Sequence, residues 1–322
     1  MTEIKEQNRF LPPMRMHPVY RHGDMTPWGG EQLKTVFGKD IPDERTGEAL
    51  EMSVIPGLES TDDDGVTLTA LIERYGSRLT GLPEGTEFPL LLKLLAAKGT
   101  LSVQVHPDDE YAKVHENKLG KTEAWVILHA EEGASLLYGI REGVTIDDLR
   151  RALTGGEDVE PLIQRVPVKA GDVFYMPAGM VHAIGGGILL YEIQQSSDVT
   201  YRLWDFNRVN AKGEKRPLHI QQSLDVIRPE LKGQRAHMPE HPAHLLDVPA
   251  FTLDCVAADG ACILPAADTF RVLTALEPLT LRWLEDEMEL NPGDTVLLPA
   301  ACPEVGLEGH GRALVSGVGR NA

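Results

Sequence analysis

One short pattern occurs twice in the chain. Gly171-Asp172 is followed by Val-Phe-Tyr-Met and then Pro177, and Gly293-Asp294 is followed by Thr-Val-Leu-Leu and then Pro299. In each copy a tight Gly-Asp turn feeds an apolar run of strand length, and a proline stops it. Comparable segments precede the two turns, Val166-Pro-Val-Lys-Ala170 and Glu289-Leu-Asn-Pro292. Short apolar runs punctuated by Gly, Pro and Asp fill the rest of the chain. They include Leu101 to Val105, Ala124 to Leu128, Ala134 to Tyr138, Val173 to Met176, Ile188 to Ile193 and Thr295 to Leu298. Such runs read as strands. A repeat of this kind in an all-β setting predicts two jelly-roll barrels from a duplicated unit.

Helical patterns are few. Thr69 to Tyr75 has apolar residues at helical spacing. Asp108 to Lys118 follows Pro107 with acids in its first turn, which suits the helix dipole. Thr145-Ile-Asp-Asp148 opens a third helix as a capping-box variant. The polar stretch Arg228 to Pro242 is the expected linker. It divides the chain into a catalytic, metal-binding domain with helical insertions at 1–230 and a second barrel at 231–322.

The charge excludes some partners. Forty-nine acidic side chains stand against 31 basic ones, a net −18. That field repels nucleic acid and anionic membrane, so neither is expected as a partner. A small anion can still bind where Lys and Arg are gathered locally. With 322 residues, 42% of them hydrophobic, the chain can bury a core without staples. Its three cysteines, Cys255, Cys262 and Cys302, form no disulfide framework, which argues for a reducing compartment. The N-terminal stretch MTEIKEQNRFLPPMRMHP has no apolar signal-type core, and no long apolar run follows. The expected location is the cytoplasm.

The first copy of the repeat continues differently from the second. Gly171, Pro177, Gly179 and His182 have the spacing of the second cupin signature, with Gly186 where an asparagine often stands. Upstream, Gln104-Val-His106 and then Glu123 take the place of the His-x-His and Glu of the first signature. The expected fold is therefore mainly β, two cupin-type jelly-roll barrels with a few helices. Gln104 and His106 stand two apart on a strand and so leave the same face. Lys121 and Glu123 obey the same rule, and His182 is expected from a third strand across the barrel. An amide oxygen, two imidazole nitrogens and a carboxylate suit one divalent metal with open positions. The two imidazoles favour one Zn²⁺ per chain, and the mixed set also tolerates Mn, Co or Fe. Taken singly, a histidine on a β-face is more often an ordinary core or surface residue, and only the joint pattern is specific. Counted from Pro299, the place of His182 in the second copy falls to Glu304, so the second barrel is expected to hold no metal.

Several stretches resemble the type I phosphomannose isomerases, short bacterial form. They are Phe88-Pro-Leu-Leu-Leu-Lys93, Leu101-Ser-Val-Gln-Val-His-Pro-Asp-Asp109 and Gly120-Lys-Thr-Glu-Ala-Trp125. Pro27-Trp-Gly-Gly30, Gly47-Glu48, Glu192, and Ser197 through Arg202 to Asp205 extend the likeness, which runs from Pro27 to His219 and then thins. One departure is Gly47-Glu-Ala-Leu-Glu51, where the family usually has Gly-Glu-Ser-Trp-Glu; an aromatic wall and a hydroxyl are lost.

The resemblance implies zinc on Gln104, His106, Glu123 and His182, and a substrate site lined by Lys121, Glu192 and Arg202. It implies interconversion of mannose 6-phosphate and fructose 6-phosphate through an enediolate, in a monomer or small homo-oligomer. That chemistry needs a charge-stabilising metal and a proton carrier. Glu192 and Lys121 are both candidates for the carrier. Arg202 offers a planar fork for phosphate or enediolate oxygens, or else pairs with Asp198 or Asp205. Lys93, after four apolar residues, reaches the substrate site or caps the barrel mouth, and Ser102 is a candidate for the phosphate end. Two rivals are another metal-dependent cupin enzyme, such as an oxygenase, and a non-enzymatic sugar-binding cupin. An oxygenase has no need of a basic cluster beside its metal, which the Gly-Lys-Thr-Glu and Tyr-Arg elements would supply.

Overall fold

A computed structural model describes residues 10–210 and 212–320. The N-terminal residues 1–9, half of the stretch read above for a signal, lie outside the described residues. The chain is mainly β, with a few short helices. Among the described residues no helix is long and apolar enough to cross a membrane.

Two compact units are formed. One comprises Tyr20–Ala49 and Lys93–His237, and the other the described residues up to Val19, Leu50–Leu92 and those from Met238 onward. The units cut the chain differently from the expected division at residue 230, because Leu50–Leu92 groups with the C-terminal strands.

In the first unit, a five-stranded sheet has the order Ile163–Pro167, Ser135–Ile140, His182–Ile184, Val103–Val105, Tyr201–Trp204. A larger sheet begins Gln234–His237, Asp172–Met176, Glu123–Ala130, Ile188–Gln195, Leu90–Ala97. Trp125, Phe174 and Leu190 of the larger sheet pack with Leu136, Tyr138 and Ile184 of the smaller in one core. The other face of the small sheet forms a second core: Val103, Val105, Leu137, Ala183, Tyr201 and Leu203 meet Leu149 and Leu153 of the helix Ile146–Gly155. Alternation along each strand then decides which residues face inward. Since Val103, Val105, Ala183, Tyr201 and Leu203 all serve the helix-covered core, Gln104, His182 and Arg202 must point between the sheets.

The helices start where their capping residues dictate. Thr67 accepts from the Ala70 amide before Leu68–Tyr75, and Asp108 accepts from the Tyr111 amide before Asp109–His115. Thr145 and Asp148 form a reciprocal capping box at Ile146–Gly155.

The repeated turns share one construction. Gly171 and Gly293 both have positive φ, 88° and 84°. Asp172 accepts from the Lys169 amide as Asp294 does from the Asn291 amide, and strands Asp172–Met176 and Thr295–Leu298 follow. In the second unit, strands Phe251–Leu264 and Val305–Val318 pair along their whole length. An apolar core that includes Leu273, Leu281, Val296 and Leu307 lies on this sheet. Glu304 is exposed just before the strand Val305–Val318.

One segment differs from expectation. Within the supposed linker, Gln234–His237 is a strand paired with Asp172–Met176. All four of its side chains are exposed, so no hydrophobic alternation marks it. An edge strand of this kind is held by backbone hydrogen bonds, which leave no trace in the side-chain pattern.

The turn at Gly171 is a test of this packing. A Cβ there would lie 2.7 Å from Cε1 of His237 while φ is 88°. Gly171→Ala is expected to lower unfolding stability by about 1–3 kcal/mol. Urea denaturation of the two proteins measures it, and an unchanged midpoint would contradict the assignment.

Candidate metal centre and active site

Two sheets supply the chemistry. On the small sheet, the register sets His182 opposite Gln104 and Arg202 opposite Gln104 on the other side. The three inward side chains therefore form a row across adjacent strands. His182 thus stands on the strand next to Gln104, not across the barrel as the sequence led us to expect. It is Glu123 that comes from the opposite sheet. There Glu192 is opposite Trp125 and Gln194 is opposite Glu123. His106 and Lys121 lie just beyond the ends of their neighbouring strands, His106 after Val103–Val105 and Lys121 before Glu123–Ala130.

His106, Glu123 and His182 are buried, and their ligand atoms lie within 4.8 Å of one another. Each imidazole is held by its far nitrogen: His106 Nδ1 donates to the Val199 carbonyl and His182 Nδ1 to the Met180 carbonyl, both at 2.9 Å. That fixes the tautomer, so the Nε2 lone pairs are the free ones. His182 Nε2 is 2.9 Å from Glu123 Oε1, and His106 Nε2 is 3.6 Å from Oε2. Lys121 Nζ is 3.1 Å from Glu123 Oε2 and 3.2 Å from His106 Nε2. Despite these short approaches, neither Glu123 oxygen has a hydrogen bond of acceptable angle. Gln104 Nε2 is 3.4 Å from His182 Nε2, and a half-turn of the amide exchanges its oxygen into that place.

Burial and the Lys121 ammonium push His106 down to about 3, against the opposing pull of Glu123. The ring is therefore neutral, as a ligand must be. Burial alone would push the Glu123 carboxyl up; the Lys121 ammonium, the largest opposing charge, holds it well below its ordinary range. Two imidazole lone pairs and an orphaned buried carboxylate make a donor set that fits a divalent metal ion.

The cage opens on a cavity of about 280 Å³ whose lining includes Gln104, Lys121, Glu192, Lys93, Ser102 and Arg202. Of these, Lys93 and Glu192 form a buried ion pair at 2.9 Å. The second Glu192 oxygen accepts from Trp125 Nε1 at 3.1 Å. Arg202 makes neither of the ion pairs that were its alternative role. Asp198 pairs with Lys118, and Asp205 is held by Arg208 and Arg216. Arg202 instead donates to Ser102 Oγ and to the Pro217 carbonyl. Among the described residues it is the one cation of the cavity wall without a carboxylate within 4 Å; Arg21, Lys93, Lys121 and Arg216 all have one.

Three charged wall residues were given no site role by the sequence reading: Arg21, Glu48 and Arg216. Glu48 had a signal, the Gly47-Glu48 pair that belongs to the family likeness. Arg21 and Arg216 had none, since their roles arise from partners distant in the chain. Ala49 and Leu50, where the departure Gly47-Glu-Ala-Leu-Glu51 falls, are fully buried and do not line the cavity.

These features define a β-rich protein with a buried His/Glu/His cage beside a cationic pocket. Residues 15–134 match the family model for the catalytic domain of type I phosphomannose isomerase. A Streptococcus mutans mannose-6-phosphate isomerase is 48% identical over 203 residues, 62% of this chain and 64% of that protein. The Bacillus subtilis mannose-6-phosphate isomerase ManA is 38% identical over 318 residues, 94% of this chain and 98% of its own. The crystal structure of a mannose 6-phosphate isomerase from Bacillus subtilis superposes with a TM-score of 0.87 at 32% identity, covering 96% of this chain and 100% of that one. A mannose 6-phosphate isomerase bound with zinc and yttrium shares the fold at a TM-score of 0.75 and 16% identity, covering 96% and 100%. The chain belongs to the type I phosphomannose isomerase family.

If the cage is the metal site, His106→Ala and His182→Ala should each lose bound divalent metal, while Glu304→Ala keeps about the parent's content. Elemental analysis of the purified, folded variants decides this. Full metal retention in either histidine variant would refute the assignment.

Proposed function

We propose that the protein interconverts mannose 6-phosphate and fructose 6-phosphate, using one Zn²⁺ held by His106, His182, Glu123 and Gln104. The observation that carries the reading is Arg202, a guanidinium in the cavity wall with no carboxylate of its own, near the cage. Arg202, Arg208 and Arg216 surround a single acid, Asp205, and so leave a local excess of positive charge. A phosphate monoester carries about two negative charges at neutral pH, which this excess offsets. Burial, followed by the neighbouring Arg216 charge, lowers the Arg202 pKa, as befits a cation short of an anion. Ser102, whose hydroxyl accepts from Arg202, then also faces the phosphate end.

The bound ion would supply Lewis-acid stabilisation of the negative charge that develops on the sugar oxygens. The remaining chemistry falls to the chain. Turning the aldose into the ketose takes the proton from C2 and returns it to C1, through an enediolate, while a hydroxyl proton passes between the two oxygens. Glu192 is the better proton carrier. It lies in the cavity wall, and each carboxylate oxygen has a second lone pair beyond those engaged by Lys93 and Trp125. Lys121 stands at the cage as an ammonium beside Glu123 and would donate to the sugar oxygens. Lys93, paired with Glu48 and Glu192, orients Glu192 from the cavity wall that the substrate enters. The catalytic machinery in this reading belongs to 1–230, and 231–322 is a second barrel without metal, since Glu304 stands where the first copy of the repeat has His182. Three free cysteines support the cytoplasm as its location.

A coupled assay of mannose 6-phosphate turnover, before and after chelation, tests the activity. Chelation should abolish turnover and added Zn²⁺ restore it. Arg202→Ala should keep its metal and lose turnover by about a hundredfold or more, the scale of one preorganised charge contact. Near-parental kinetics in that variant would mean that the phosphate end lies elsewhere.

A further inference from the structure

Four residues of the cavity wall, Arg21, Glu48, Lys93 and Glu192, form a continuous chain of alternating charge that ends on a neutral donor behind them, Trp125. Arg21 NH1 lies 3.2 Å from Glu48 Oε2. Glu48 Oε1 lies 3.5 Å from Lys93 Nζ, which lies 2.9 Å from Glu192 Oε1. Trp125 Nε1 donates to Glu192 Oε2 at 3.1 Å. The Trp125 ring in turn stands edge-on to His182, with centroids 5.3 Å apart. Glu48, Lys93 and Glu192 are nearly without solvent, at 7%, 4% and 3% exposure. Their charges are therefore answered by one another and hardly by water.

The unequal distances show how Lys93 is shared. Its ammonium sits closer to Glu192 than to Glu48, and Glu48 has a second cation in Arg21. Lys121 acts on Glu48 as well, though less than Lys93 or Arg21. Remove the Arg21 charge and Lys93 becomes the one close cation for two buried carboxylates. It should then move toward Glu48 and away from Glu192. Remove the Glu48 charge instead and Lys93 belongs to Glu192 alone.

We propose that Arg21 and Glu48 are positioning residues for the isomerisation, setting through Lys93 where the Glu192 carboxylate stands. The proposal rests on the reading of Glu192 as proton carrier. Neither Arg21 nor Glu48 needs to meet the reacting carbons. A carrier displaced by a fraction of an ångström loses rate and leaves phosphate binding alone.

The test uses the metal-loaded protein with Arg21→Met, Arg21→Lys and Glu48→Gln. Kinetics on mannose 6-phosphate and metal content are measured, together with the ¹⁵N-indole resonance of Trp125. Arg21→Met should lower kcat about tenfold or more with KM within about twofold and metal unchanged. Arg21→Lys should recover most of kcat. The Trp125 indole proton reports its hydrogen bond to Glu192. With Lys93 drawn away, that bond strengthens and the resonance moves downfield; in Glu48→Gln it should move upfield. Shifts of the same sign in both variants, no shift in either, or a change confined to KM would overturn the proposal. Should the parent protein fail to turn over mannose 6-phosphate, the isomerase reading falls. The paired indole shifts still decide whether Arg21 and Glu48 govern Glu192.

Discussion

A carboxylate with no exposure to solvent must be compensated by its surroundings or give up its charge. Glu123 is such a group, and its compensation organises the centre of the first unit. The Lys121 ammonium lies against one oxygen, and two imidazoles with backbone-fixed tautomers turn their lone-pair nitrogens toward the same space. The histidines reach it from the small sheet and Glu123 from the large one. Losing either partner would strand a charge that the interior cannot solvate, a change that typically costs about 3–5 kcal/mol. Two sheets meet apolar face to apolar face around Trp125, Phe174 and Tyr138, and the charges gather where that apolar contact gives way.

The same logic accounts for the rest of the pocket. In a protein with net charge −18, a doubly charged anion gains nothing from the long-range field. Binding must come from cations left unanswered at short range. Most cations here are answered: Arg21 by Glu48, Lys93 by two acids, Lys121 by Glu123, Arg216 by Asp205. Arg202 is the exception, in the row with Gln104 and His182, and this is why the proposed function seats the anionic end of the substrate there.

Much of this was legible in the sequence, for reasons that differ by residue. Gln104 and His106 were marked by their two-residue spacing, although His106 lies one residue past its strand, and the Gly171-Asp172 turn fixed where the strand before His182 begins. Lys93 betrayed itself by following an apolar run that water does not reach. What the sequence withheld were the pairings. Nothing local says that the strand of His182 lies beside that of Gln104, or that Arg21 reaches Glu48. The edge strand Gln234–His237 hid for a related reason: its four exposed polar side chains carry no period, and only backbone hydrogen bonds place it. The Arg202 alternatives, Asp198 and Asp205, were sensible by spacing, but each is claimed by other cations.

The central claim is that His106, His182 and Glu123 converge on one metal ion. Anomalous diffraction at the zinc edge, from crystals of the unchelated protein, tests it most directly. The account predicts one strong peak per chain, within about 2.0–2.2 Å of both Nε2 atoms and a Glu123 oxygen. A fully occupied zinc site elsewhere in the chain, or no peak in catalytically active crystals, would contradict it.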